Sequence, residues 1–521
     1  MPVIRKVILQ NFKQFRRLDL DFDPRSNVLI GDNETGKSSV LLALDLALSA
    51  SRTRIENLGF DTLFCKPVVE EFLNGPKGLD QLPELIVDVF LEEGRDQTLY
   101  GTGNLDGRET DGLRMVIEPV HDYGDAIQAV LAGPGRNFPF EYYTVRFQTF
   151  ARNPYTNFNR PVRHLLLDSS RIDNEYAARE YTRSVYHFNA TVETRYQLEN
   201  AYRMSKKSFT NRELLEINQE LAGFQFDVRS SVRSNLESDL VITEGGIALE
   251  HRGKGRQCFI KTQFALNTRR AQAGLDVMLL EEPENHLSHT WMKRLVEQLS
   301  QNQDTQLFVA THSSHICSRL DLRKALLLGT VQHSGMLKDL TEGTAEFFMK
   351  APDNNVLEFA LSSKVILVEG DAEFILLEAF YKKLTGNRRP AEDNVHIIAI
   401  GGTSFKRYLE LACLLGIKVA AIRDNDGNYE GNCVENYAEL VNDHAIVFAD
   451  KDNARTTFEI GLYHDNQAIC DELFAPGRKS LTPLEYMLGN KAEAAFELLD
   501  KKEGELVVPG YIVEAIEWVR R

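Results

Sequence analysis

Two groups of residues in this chain have the types and spacing to do chemistry on phosphate. Near the N-terminus runs Gly31-Asp32-Asn33-Glu34-Thr35-Gly36-Lys37-Ser38. Far downstream, Glu369-Gly370-Asp371-Ala372-Glu373 is followed by Asp424-Asn425-Asp426-Gly427. In the first group, glycines let backbone N–H groups face phosphate oxygens, and a helix N-terminus adds favourable charge. In the second, clustered carboxylates suit hard divalent cations, Mg2+ or Mn2+.

The elements needed to position the first group are present. Val28-Leu29-Ile30 is a short apolar run and Ser39–Leu44 continues as an apolar helix, so G-x-x-x-x-G-K-S sits between a strand and a helix. ATP is the expected ligand, with Lys37 on the β/γ-phosphates and Ser38 on magnesium. A second strand, Val277–Leu280, ends in Glu281-Glu282-Pro283. Acids there stand at a sheet's C-terminal edge, where open α/β sheets bind ligands. Glu281 is expected to hold the magnesium shell and Glu282 to polarise the attacking water. A third strand, Gln306–Thr311, ends at His312, placed to sense a γ-phosphate. The plainer alternatives are two exposed acids and a histidine capping the next helix.

Around the second group, Lys364–Val368 reads as a buried strand running into Glu369, and Glu373 opens a helix. Val395–Ile400 reads as a strand, residues 405–415 as a helix, and Val419–Ile422 as a strand leading into Asp424. This alternation predicts a parallel α/β unit with acids at the strand ends. In-line attack on a phosphodiester builds charge on two oxygens, which two cations about 4 Å apart stabilise. Taken alone, Asp-Asn-Asp-Gly is a turn; following Glu369 and Glu373 it reads as metal ligands, Asp424 and Asp426.

Asn11–Phe15, the loop Gly31–Ser39, Leu279–Leu287 and Val309–Ile316 resemble the ATPase head shared by RecF-like, SMC-like and OLD (overcoming lysogenization defect) proteins of the ABC class. That resemblance gives nucleotide contacts to Gly31, Asn33, Gly36, Lys37, Ser38, Ser39, Glu281 and His312. It also implies that two heads sandwich ATP, each offering a signature loop to the other. Here that loop is Arg252–Gln257, with Gly253, Lys254 and Gly255; Lys254 stands where OLD-like proteins commonly have serine. The downstream unit is similar to a TOPRIM domain. Thr456–Glu459 resembles the OLD segment with a further metal-binding glutamate, Glu459. Asn490–Ala495 resembles its catalytic-lysine segment, which implies that Lys491 steadies transition-state charge, and Val508–Ile516 resembles its closing helix.

The expected fold is α/β: an ABC/RecF-like head over residues 1–182 and 236–345, a helical arm over 183–235, and a TOPRIM domain with a parallel sheet over 346–521. Residues 50–182 are strand-rich, with good runs at Glu84–Phe90 and Leu113–Ile117, and read as an elaboration of the head's sheet. The arm, helical at Ala201–Lys207 and Asn211–Leu221, is the expected dimer contact. At 521 residues with 43% hydrophobic and 26% charged, the chain has material for several cores. No apolar run is long enough for a membrane span, and Met1–Lys6 has no apolar leader segment, so a cytoplasmic protein without a membrane partner is expected. Six scattered cysteines read as reduced thiols. The net charge of −16 is neutral toward DNA, because carboxylates gathered around cations are offset by them.

The resemblance thus implies an ATP-regulated, metal-dependent DNA endonuclease in antiphage defence. It would be a homodimer or homotetramer working with a helicase-like partner, or with a reverse transcriptase and its retron DNA. The rival is a RecF-like ATPase clamp in DNA repair whose acidic domain binds without cutting.

Overall fold

The computed structural model describes residues 2–76, 78–133, 137–168, 182–183, 185–187, 189–221, 223–229, 235–257, 259–260, 275–285, 287–301, 305–313, 316, 321–329, 336–350, 355–402, 404–475 and 481–521. The chain divides into two compact units, Met1–His312 and Ser313–Arg521.

The first unit holds two sheets. β1 (Ile4–Phe12) and β2 (Phe15–Asp21) form a hairpin with Phe12 opposite Phe15. β4 (Leu85–Leu91) pairs with β1, β6 (Thr110–Pro119) with β4, and β5 (Tyr100–Gly101) and β7 (Tyr143–Thr149) with β6, all antiparallel. Every residue of β4 is buried. Its one charge, Asp88, lies directly opposite Arg114, which donates two hydrogen bonds of 2.7 Å to it. A buried carboxylate is tolerable in such a bidentate pair.

The other sheet is parallel and runs in the order β3 (Ser26–Ile30), β12 (Gln306–Ala310), β11 (Val277–Glu281), β8 (His164–Asp168). Between β8 and β11 lies a small hairpin of β9 (Thr243–Glu244) and β10 (Ile247–Ala248). The strand-rich region after residue 50 therefore does not simply widen the head's sheet. Its antiparallel pairings build a separate sheet with β1 and β2, and of the strands in this region only β8 joins the parallel one. Gln306 ties the two sheets, accepting from Ile4 N and donating to Ile4 O, both at 2.8 Å. α1 (Lys37–Ser49) is buried at ten positions and touches strands of both sheets. That accounts for its apolar character on all sides. Its Asp45 is buried against Arg54 and His164, whose Nε2 lies at 3.0 Å. Burial pulls the His164 imidazole below its ordinary range despite Asp45.

In the arm, α2 (Val192–Arg212) is capped by Thr191, which accepts from Thr194 N at 3.1 Å. α3 (Leu215–Glu220) follows after a break at Glu213 and Leu214. The expected second helix, 211–221, is thus cut in two: the chain turns back, and Asn218 pairs twice with the Phe226 backbone. Tyr196, Met204, Phe209, Leu215 and Ile217 are exposed.

The second unit contains β13 (Ala325–Leu327) and a parallel sheet in the order β15 (Val395–Ala399), β14 (Lys364–Val368), β16 (Lys418–Ile422), β17 (Ala445–Phe448). Its helices include α4 (Asp371–Thr385), α5 (Phe405–Leu415), α6 (Phe458–Asp465), α7 (Lys491–Lys502) and α8 (Gly510–Arg520). Ile366, Val368, Leu376, Phe380, Leu498, Ile512 and Ile516 join one core. α4 and α7 pack side by side. They run in the same direction: Lys383 near the end of α4 donates to the Gly504 carbonyl just past α7, while Glu373 and Lys491 interact electrostatically at their starts.

The four described cysteines, Cys65, Cys413, Cys433 and Cys470, are free thiols; Cys258 and Cys317 lie outside the described residues. Among the described residues no helix is long and apolar enough to cross a membrane.

Candidate functional site

The head's chemistry gathers at the C-terminal edge of the parallel sheet. Gly36 has φ +102°, and a Cβ on it would lie 2.2 Å from Gln14 Nε2 and 2.3 Å from the Phe15 ring. Only glycine fits there, on both counts. Lys37 is buried, and its Nζ donates to the Gly31 and Asp32 carbonyls at 2.7 and 2.8 Å. Gly31 is buried; Asn33 and Ser38 are exposed and Ser39 half-buried. Gln14, in the turn between β1 and β2, donates to Glu34 O at 3.1 Å and accepts from Ser39 Oγ at 3.0 Å. No role was expected for Gln14, because its contact with the loop spans a hairpin and motif spacing does not show it.

Glu281, the last residue of β11, stands in register with Ala310 on one side and Asp168 on the other. Asp168 is thus a further carboxylate at this edge, unannounced by any motif. Glu282 adopts φ +45°, a left-handed conformation that costs a non-glycine residue of order 1 kcal/mol. It is held there by its N–H on Ala310 O at 2.8 Å and by Asn285 Nδ2 on its Oε2 at 2.5 Å. His312 Nε2 lies 3.7 Å from Glu282 Oε1, so the expected water-polarising acid and phosphate sensor are neighbours. Glu284 fixes His312, its Oε1 accepting from Thr311 Oγ1 at 2.6 Å and His312 N at 2.8 Å. Gly253 and Lys254 are exposed, and a helical turn starts at Lys254 and includes Gly255. That turn is braced by Arg256, which pairs with Glu244 and lies 4.6 Å from the Trp291 ring.

In the second unit, β14 and β16 pair in parallel register and deliver Glu369 and Asp424 to the same sheet edge. Glu373 is buried in the first turn of α4, and Glu459 is buried in the first turn of α6. Burial first, then the charges of Glu459 and Glu369, push the Glu373 carboxyl up to about 7. Burial first, then Glu373, Glu369 and Glu459, push Asp424 to about 7 as well. Four of the expected acids thus lie close enough to act on one another's charge. Asp424 Oδ1 also accepts from Phe458 N at 2.7 Å, tying it to the start of α6. Lys491 Nζ donates to Glu459 Oε2 at 2.9 Å. Burial alone would lower the Lys491 ammonium, but Glu459, Asp424 and Glu373 outweigh it and hold it above its usual range.

Asp426 is different. It has φ +50°, is exposed, and pairs with Arg423 Nη2 at 2.9 Å. Gly427 N donates to Asn425 Oδ1 at 2.8 Å, so Asp-Asn-Asp-Gly is a turn as well as the carrier of Asp424. Among the described residues no three His, Cys, Asp or Glu side chains stand at metal-ligating spacing. The donor set nonetheless suits a hard cation. Buried carboxylates face one half-exposed ammonium, and Thr457 Oγ1, between Asp424's partner Phe458 and Thr456, is buried without a hydrogen-bond partner. Glu369, Glu373, Asp424, Glu459 and the Thr457 hydroxyl could hold such an ion, and a cation would supply the charge neutralisation this pocket lacks. Tyr511 of α8 is a further neighbour that the sequence does not signal. It is pushed well above its ordinary range by burial and then by Asp424 and Glu373, so its phenol stays neutral beside the acids.

Comparison with known proteins finds both ATPase and TOPRIM domains along the chain. The TOPRIM domain of overcoming lysogenization defect protein-like proteins matches residues 361–426. An AAA ATPase domain matches residues 3–90, and a further AAA domain matches 260–318. The DNA replication and repair protein RecF of Lactobacillus acidophilus is 46% identical over 57 residues, 10% of this chain and 15% of that protein. The SMC head domain from Thermotoga maritima is 15% identical, covering 64% of this chain and 96% of that one at a TM-score of 0.29. The C-terminal region of the Burkholderia pseudomallei OLD protein is 18% identical, covering 30% of this chain and 97% of that one at a TM-score of 0.23. The phosphate loop thus lies within a match to an AAA ATPase domain, and Glu369, Glu373, Asp424 and Asp426 lie within a match to the OLD-like TOPRIM domain.

Proposed function

We propose that this protein is an ATP-regulated, metal-dependent DNA endonuclease that serves in antiphage defence. The observation that carries the reading is the pocket of Glu369, Glu373, Asp424 and Glu459, in which two carboxyls are raised to about 7 by burial and by one another. Such repulsion is relieved by cations, and paired cations are suited to phosphodiester hydrolysis. In this reading the carboxylates bind Mg2+ or Mn2+, with Asp426 turning from Arg423 to join them. Lys491 offers positive charge to the phosphorane-like transition state. In the head, Lys37 and Ser38 bind ATP and magnesium, Glu282 takes a proton from the attacking water, and His312 contacts the γ-phosphate.

An ABC-type site is completed by a second head, so Gly253, Lys254 and Gly255 act in trans and the protein works as a homodimer or homotetramer. The exposed apolar residues of α2 and α3 supply a contact for that pairing. A helicase-like protein, or a reverse transcriptase with its retron DNA, fits as a partner in defence.

The test is cleavage of supercoiled and linear DNA with each metal, with and without ATP. Wild-type protein should nick or cut in Mg2+ or Mn2+ and stop in EDTA. Glu369→Ala and Asp424→Ala should abolish cutting while ATP binding persists. Undiminished cutting by both variants would refute the assignment.

A further inference from the structure

At the end of the second unit's sheet opposite the acids, cations crowd together. Lys364 and Lys418, the first residues of β14 and β16, are direct partners in the parallel ladder. Like charges set opposite one another on neighbouring strands are destabilising. Lys364, Arg388, Arg520 and Arg521 line a pocket of about 480 Å³ with Asp393 and Glu517. Lys418 adjoins it, lying 4.8 Å from the Trp518 ring. Burial, then the charges of Lys364 and Arg521, hold the Lys418 ammonium below its usual range.

Internal contacts use part of this charge. Lys364 Nζ donates to Arg520 O at 2.8 Å, which caps the end of α8. Asp393 takes Arg388 and Arg520, and Glu517 stands 4.0 Å from Arg521. Four cations line the pocket against two carboxylates, with Glu392 also 3.8 Å from Arg388 and Lys418 beside Lys364 in the ladder, in a chain whose net charge is −16. The pocket wall is charged rather than apolar, which suits an anion with several oxygens. Across the sheet, β14 separates Lys364 from Glu369 by five residues, about 16 Å at 3.3 Å per residue. The pocket is thus distinct from the acidic centre.

We propose that this pocket is a second phosphate-binding site, separate from the nucleotide loop, that takes the sugar–phosphate backbone of DNA. The choice of DNA rests on the endonuclease reading; a free polyphosphate has the same chemistry and is the alternative source. Lys418 and Arg521 are the contacts, and Glu517 tempers the charge.

The experiment uses full-length protein in EDTA, so that binding is read without cleavage. Anisotropy of a labelled duplex over a salt series should show weaker binding for Lys418→Gln and for the exposed Arg521→Gln. Each lost phosphate contact should lower the salt slope by about 0.9. Glu517→Gln should instead tighten binding, which a merely structural role would not do. A parallel calorimetric titration uses inorganic tripolyphosphate with a Lys37→Ala background, which silences the nucleotide loop. If tripolyphosphate binding falls in the pocket variants while DNA binding does not, the ligand is a free polyphosphate. If the variants bind both probes as the parent does, or the parent binds neither, the pocket assignment is overturned. Wild-type protein that binds tripolyphosphate here but no DNA would refute the endonuclease reading and leave the pocket standing.

Discussion

Lys491 Nζ sits 2.9 Å from Glu459 Oε2, joining the start of α7 to the start of α6 across the acidic pocket. The carboxylate is buried and the ammonium is half-exposed. The lysine therefore balances the pocket from its solvent side, where a substrate phosphate would arrive. Lys491→Ala should reduce single-turnover DNA cleavage by roughly 100-fold or more, the usual size of losing one transition-state charge contact. Duplex affinity in EDTA should change far less. Equal losses in binding and cleavage would assign Lys491 to substrate binding.

Asp424→Asn should separate stability from activity. The amide keeps an oxygen for Phe458 N–H but removes a charge that repels Glu373, Glu369 and Glu459. In EDTA at pH 8 the variant should melt higher than wild type, while cleavage is lost. Asp424→Ala should melt lower than Asp424→Asn, by about 1 kcal/mol for the orphaned amide. Calorimetry of the three proteins checks the order.

The same two carboxyls set a pH dependence. Glu373 and Asp424 titrate near 7 in the folded protein but have ordinary values of 4.5 and 3.8. The folded state thus holds protons more tightly than the unfolded chain. Their stabilising contribution is complete below about pH 4 and is lost as pH rises through 7. The metal-free protein should therefore melt higher at pH 6 than at pH 8, with the difference reduced in Glu373→Gln. Added Mg2+ should raise the melting temperature more at pH 8 than at pH 6, because protons compete with the cation.

In the head, Glu282→Gln should bind ATP and hydrolyse it slowly, because an amide cannot accept the proton of the attacking water. Glu284→Ala should also slow hydrolysis, by freeing His312 from its anchor. Lys37→Ala should lose nucleotide affinity. Normal turnover by Glu282→Gln would move the base to Glu281. Nucleotide binding and steady-state ATPase assays distinguish these outcomes.

Pairing of two heads should be visible in solution. Light scattering at several concentrations, with and without ATP, should give a dimer or larger. Mixed dimers of Lys37→Ala and Gly255→Glu chains should recover ATPase activity, since the mixed pair alone sets an intact Lys37 against an intact Gly255 and so rebuilds one of its two sites. A monomer that hydrolyses ATP normally would contradict action in trans.

Much of this was legible from local pattern. Ile30 into Gly31 and Leu280 into Glu281 announced strand ends bearing chemistry, and both strands lie in one parallel sheet. The βα alternation around Glu369 and Asp424 likewise became a parallel sheet with both acids at one edge. What escaped notice depends on partners far apart in sequence. Gln14 reaches the loop from a hairpin turn, Asp168 is brought beside Glu281 by strand register, and Tyr511 comes from the last helix to adjoin Asp424. Residues 50–149 gave good strand patterns but not their sheet, because alternating or buried runs state that a strand exists and leave its neighbours open. Asp426 shows the opposite limit. Its spacing from Asp424 suggested a common role as a ligand, yet local turn geometry aims it at Arg423.

The parallel course of α4 and α7 has a consequence for the metal-free protein. Both helices begin at the acidic pocket, so both point their positive ends toward it, each equivalent to about half an elementary charge. This charge belongs to the peptide backbone. Chelators do not extract it, protons do not displace it, and side-chain replacement leaves it in place. The pocket consequently retains a permanent cationic background when stripped of ions, and an approaching phosphate meets a field less hostile than its carboxylates alone would create.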